Sequence, residues 1–148
     1  MSEILEGMLL GTFSPKFDEK GRIILPARFR DVFRDGLVIA PGQEYCLYVY
    51  SASEFKRIAA AISGQAVASR DERAYNRILF SGAMDTVPDK QGRIPIPRVL
   101  RDYAKLTSEI VCIGVGKRAE IWDKEQWEEY SKQHEEAFAD ATEAIFES

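Results

Sequence analysis

One histidine and two cysteines in 148 residues leave little material for metal or nucleophile chemistry. Cys46 and Cys112 lie far apart, with no Cys-x-x-Cys pair and no neighbouring histidine. That spacing excludes a zinc set and points to two buried, reduced thiols. His134 has no serine or cysteine motif beside it and lies in an acidic helical segment, so a packed or half-exposed role fits it better than catalysis. Gly114-Val115-Gly116-Lys117 lacks the spacing of a phosphate loop and the Ser or Thr after the lysine, and reads as a hairpin turn. The carboxylates Asp18 and Asp89 are each accounted for by the turn they open, not by acid–base work. No enzyme, cofactor, metal site or small-molecule substrate is expected. No apolar run reaches the roughly 18 residues of a membrane span. The opening Met1-Ser2-Glu3-Ile4-Leu5-Glu6-Gly7 has neither the basic stretch nor the apolar core of a signal peptide, so a cytoplasmic protein is expected, with no membrane partner.

With 45% hydrophobic and 30% charged residues, the chain suits one globular domain or two small halves sharing a core. Its net charge of −4 hides a segregation. Residues 119–148 carry ten acidic and two basic side chains, while residues 1–118 are net +4. Screening confines each patch to about 8–10 Å, so an acidic tail is compatible with a basic face that binds phosphate elsewhere.

An internal repeat organises the rest. Asp18-Glu19-Lys20-Gly21-Arg22-Ile23-Ile24-Leu25-Pro26-Ala27-Arg28-Phe29-Arg30-Asp31 aligns without gaps to Asp89-Lys90-Gln91-Gly92-Arg93-Ile94-Pro95-Ile96-Pro97-Arg98-Val99-Leu100-Arg101-Asp102, with seven of fourteen positions identical. Average composition would give fewer than about one match. Val49-Tyr50-Ser51 then matches Ile121-Trp122-Asp123, and the chain is a tandem duplication.

In each copy Asp-x-x-Gly-Arg predicts a turn between strands. The aspartate bonds backbone two residues on, and the glycine supplies a positive φ. Pro26 and Pro97 fit the first position of short helices. Strands are expected at 37–40 and 45–50, and again at 109–115 and 119–122. A closing helix carries Phe55, Ile58, Ala59 and Ile62 in the first copy, and Trp127, Tyr130, His134, Phe138, Ala141 and Ile145 in the second. Each half is too small to bury its own sheet, so the two should interlock around one core. Between them, after the polar stretch Ser63 to Ser69, a helix over 70–80 sets Arg70, Arg73 and Arg77 on one face, which reads either as solvated surface or as a phosphate contact.

Met8-Leu9-Leu10-Gly11-Thr12-Phe13, Asp18-x-Lys20-Gly21-Arg22 with Pro26 and Arg30, and Asp89-x-x-Gly92-Arg93 with Pro97, Arg101 and Asp102 together resemble MraZ, a family of bacterial regulators with two SpoVT-AbrB repeats in one chain. The resemblance implies an α+β fold: a tandem-repeat, double swapped-hairpin (AbrB-like) β-barrel with short flanking helices and a C-terminal helix. It divides the chain into an N-terminal extension 1–7, repeat one 8–57, a helical connector 58–82, repeat two 83–127 and an acidic C-terminal helix 128–148. It further implies a homo-oligomer in the form of a ring. The implied partner is double-stranded DNA, at short direct repeats upstream of the division and cell wall gene cluster and of the protein's own gene. That would make it a cytoplasmic, nucleoid-associated transcription regulator.

The family's DNA-contacting positions fall on Lys20, Arg22 and Arg93; Lys90 on the second turn, and Arg98 in the first helical turn within reach of a phosphate, rank second on their own chemistry. The chemistry agrees, since an arginine fork on a rigid turn grips a phosphate or a guanine edge with two parallel hydrogen bonds. Asp18, Gly21, Asp89 and Gly92 stabilise the turns. The plainer reading is that Asp18–Arg22 and Asp89–Arg93 are local contacts only. Lys90 stands one place earlier than Lys20, and Pro95 in place of Ile24 makes its strand an edge or a bulge. Two other functions remain open: a protein-interaction scaffold acting through the acidic helix, and an antitoxin-like or RNA-binding protein of the same fold.

Overall fold

The computed structural model describes residues 5–63 and 68–146, with side chains as far as Ala141. Most of the linker after Ser63, the first four residues of the N-terminal extension and the Ile145 side chain lie outside what it describes.

In chain order the elements are β1 (Thr12–Phe13), β2 (Arg22–Ile24), α1 (Arg30–Phe33), β3 (Leu37–Pro41), β4 (Leu47–Ser51), α2 (Ala52–Ser63) and α3 (Arg70–Gly82), followed by β5 (Met84–Thr86), β6 (Arg93–Pro95), α4 (Arg98–Tyr103), β7 (Ile110–Gly114), β8 (Arg118–Asp123) and α5 (Lys124–Phe146). Six strands form one antiparallel sheet in the order β1-β7-β8-β4-β3-β5, and β2 pairs with β6 as a separate two-stranded ribbon. If β1 is exchanged for β5, β3 for β7 and β4 for β8, the order reads the same from the other edge. The first strand of each copy pairs inside the other copy, Thr12 opposite Ile113 and Thr86 opposite Leu37. The fold is mixed α+β, and neither half closes without its neighbour.

Alternation along β4 explains how the sheet is covered. Leu47 and Val49 join the main core with Ile23, Leu25, Phe29 and Phe33 from the first copy and Ile94, Ile96, Leu100 and Ile110 from the second. Tyr48 and Tyr50 turn the other way, toward Trp122, and meet Phe55 and Ile58 of α2 and Trp127 and Tyr130 of α5. The two closing helices begin alike. Ser51 Oγ accepts from the Glu54 N–H at 3.1 Å, and Asp123 Oδ2 from the Gln126 N–H at 3.4 Å, each supplying an acceptor that the first turn of a helix lacks. Glu120 is buried on this face, where Arg118 Nε and Trp122 Nε1 both donate to its carboxylate at 2.9 Å and supply the partners a buried polar group needs. Cys46 and Cys112 are free and fully buried, and burial pushes the Cys112 thiol up to about 12.

Some local expectations need correcting. Pro26 and Pro97 stand just before their helices, with extended ψ values of 136° and 149°. Their backbones are set by the strands they leave, so they cap the helices from outside and do not open them. The strand expected from Tyr45 starts at Leu47, because Glu44 and Tyr45 take positive φ values of 62° and 59° in a short 3-10 turn. Between β1 and the first turn the described residues form only single bridges, at Lys16 and Phe17, so no strand leads directly into the turn. Among the described residues, the apolar stripe of α5 packs against the buried cluster through Trp127 and Tyr130. Beyond them His134 is exposed, with its ring 4.3 Å from that of Tyr130, and Phe138 is 73% exposed. The helix outruns the sheet it packs on.

Candidate nucleic-acid interface

The two Asp-x-x-Gly-Arg segments form near-identical turns. Asp18 Oδ1 accepts from the N–H groups of Lys20 at 2.8 Å and Arg22 at 3.0 Å, and Oδ2 from Arg22 Nε at 2.8 Å. Asp89 repeats this with Gln91 at 3.0 Å, Arg93 N–H at 2.8 Å and Arg93 Nε at 2.6 Å. Gly21 and Gly92 take φ of +75° and +80°, a conformation that a Cβ would strain. The N–H of Arg22, aided by its side chain, holds the Asp18 carboxyl below the usual carboxylate range, and Arg93 does the same for Asp89.

That depression sets a pH dependence. A carboxyl held low in the folded state contributes fully above its unfolded value of about 4 and loses that contribution as pH falls through the lowered value. Following the Gly21 and Gly92 amide resonances, both turns should stay closed at neutral pH and open only below about pH 4. Opening centred above that value would contradict these contacts.

The ribbon then decides where the arginines face. Arg22 lies opposite Pro95, Ile23 opposite Ile94, and Ile24 opposite Arg93. Side chains alternate across a strand, and Ile23 and Ile94 are buried. Arg22, Ile24, Arg93 and Pro95 therefore share the outward face, with the two arginines on one diagonal about 7–8 Å apart at Cα. The N–H of Ile96 bonds Gly21 O at 3.0 Å, and that of Leu25 bonds Gly92 O at 2.9 Å. The two tips thus sit at opposite ends of the ribbon, about 13 Å apart by strand rise. Lys20 and Lys90 stand exposed on these tips, and exposed Arg98 opens α4 just past Ile96.

Each arginine spends Nε on its aspartate, so the local contact exists. It does not exhaust the guanidinium. Among the described residues nothing holds the Nη1 and Nη2 groups of Arg22, whereas Arg93 also donates through Nη2 to Gln91 Oε1 at 3.2 Å. The residue at Gln91, where the first copy has Lys20, thus occupies part of the second fork. Pro95 lies in a two-stranded ribbon without a bulge, where its missing N–H costs no central ladder bond. Arg70, Arg73 and Arg77 are all exposed on α3, and Arg73 Nη1 donates to Ala68 O at 2.8 Å. Sequence reasoning missed Ile24, which is 48% exposed in the middle of the outward face. In the run Ile23-Ile24-Leu25 nothing marks which isoleucine turns outward.

Such a face can do one kind of chemistry well. A two-stranded ribbon fits a major groove about 12 Å wide, and arginine forks held by aspartates present planar donors to phosphates or base edges.

A family model described as an antitoxin-like MraZ protein matches residues 8–78 and again residues 79–148. The curated "Transcriptional regulator MraZ" of Salinispora arenicola is 51% identical over 138 residues, covering 93% of this chain and 97% of its own length. Its namesake in Bifidobacterium longum is 49% identical over 141 residues, with coverage of 95% and 94%. That of Paenarthrobacter aurescens is 53% identical over 133 residues, with coverage of 90% and 93%.

Proposed function

The chain belongs to the MraZ family, and from this premise we propose that it is a DNA-binding transcriptional regulator whose reading element is the β2–β6 ribbon. The observation that carries the proposal is the common outward face of Arg22 and Arg93, built from both repeats. Lys20, Lys90 and Arg98 add phosphate contacts around it, and Ile24 offers an apolar surface to a thymine methyl. Exchange of β1 and β5 between the copies supports reading the fold as a double swapped-hairpin barrel made of repeats 8–57 and 83–127, joined by the connector 58–82 and followed by the acidic helix 128–148. No step of this function calls for catalysis or a cofactor.

One ribbon with a few basic groups binds weakly at physiological salt. Tight, specific binding follows if a homo-oligomeric ring presents several ribbons to direct repeats upstream of the protein's own gene and of a division and cell wall gene cluster, in the cytoplasm at the nucleoid. Each contact then raises the effective concentration of the next, provided the spacing matches. The test is a fluorescence anisotropy titration on that upstream duplex at two salt concentrations. Binding should weaken with salt, and inserting about 5 bp between repeats, half a helical turn, should remove most of the affinity. Binding indifferent to repeat spacing would sink the multivalent mechanism, and no binding by assembled protein at low salt would sink the DNA reading.

A further inference from the structure

The repeats are also joined by a reciprocal contact between helix arginines and turn glycines. A Cβ placed on Gly21 would lie 3.4 Å from the Arg101 guanidinium of the second copy, and one on Gly92 would lie 2.8 Å from Arg30 Nε of the first. The guanidinium of Arg101 also stands over the ring of Phe17, at the base of the same turn, 5.8 Å from its centroid. Its Nε is buried and has no hydrogen-bond partner among the described residues, so this arginine is held by stacking and shape. Pro88 stands where the first copy has Phe17, so the second turn offers Arg30 no equivalent ring. The Nε of Arg30 instead donates to Leu25 O at 3.3 Å, and the N–H of Leu25 in turn bonds Gly92 O at 2.9 Å. In both directions the helix of one repeat presses a guanidinium against the turn of the other.

Resting on the DNA-reading role of the turns, we propose that Arg30 and Arg101 are positioning residues. Each holds the basic turn of the opposite repeat in its reading geometry. Arg101→Met keeps the length and the apolar stem while removing the planar charge. In free protein it should speed amide exchange at Gly21 and Arg22 by about five- to tenfold, the loss of one contact of about 1 kcal/mol, and leave Gly92 and Arg93 unchanged. Arg30→Met should do the converse. On the upstream duplex each variant should lose several-fold in affinity with the salt slope of the parent, since no phosphate contact has gone. Faster exchange in a variant's own-repeat turn, in both turns equally or in neither overturns the proposal, and a shallower salt slope makes the residue a phosphate ligand instead. The crosswise exchange pattern is scored without DNA. Parent protein that fails to bind the duplex therefore counts against the DNA reading, and the positioning contacts are judged separately.

Discussion

Arg22→Ala should lower affinity for the upstream duplex by about 5- to 150-fold for each engaged tip, the equivalent of one lost bidentate contact of about 1–3 kcal/mol. In a multivalent assembly the losses compound, so specific binding should vanish over an ordinary titration. The fold has little stake in this side chain. Arg22 is partly exposed, its backbone N–H and not its guanidinium anchors the turn first, and exposed ion pairs contribute little. Thermal melting and assembly size should therefore match the parent. Unchanged binding, or a large fall in Tm, would return Arg22 to a purely structural role. Arg93→Ala should act in the same direction more mildly, because Gln91 already engages part of its fork.

Ile94→Ala should be the most damaging change to stability near the interface. Ile94 is fully buried and lies opposite Ile23 at the centre of the ribbon that joins the two repeats. Removing a buried isoleucine to its Cβ costs about 2–5 kcal/mol, the lost transfer energy plus an unfilled cavity. For a chain of this length that corresponds to a Tm lower by roughly 5–20 °C. Because both copies contribute to one core, unfolding should remain a single transition. A melt that splits into two steps would mean that the halves are stable separately, and a loss below about 1 kcal/mol would mean that the ribbon centre is not closely packed.

Local chemistry made the turns legible. Aspartate, glycine and arginine at fixed spacing act within five residues, and both turns take the form expected of them. The strands at β3, β4 and β7 were legible because each is a largely apolar run between turn residues, and β8 because it follows the Gly116-Lys117 turn and carries Ala119, Ile121 and Trp122. The seam between copies was not. β2 and β6 are three residues each, and what pairs them is the burial of Ile23 and Ile94 in a common core, a tertiary effect with no local signature. The exposure of Ile24 was hidden for the same reason. The stripe on α5 misled in the opposite sense, since its periodicity continues past Tyr130 although the sheet beneath it ends.

The interleaved strand order has a consequence for how the molecule is made. Thr12 finds its partner only at Ile113, about 100 residues later. A ribosome adding about 5–20 residues per second leaves β1 waiting for roughly 5–20 s, and the tunnel adds to the delay. Through that interval Phe13 and the edge of β1 are open to any other nascent chain that carries a β7. Polysomes translating this message thus hold many first halves beside many second halves, and only the covalent tether favours the partner in cis.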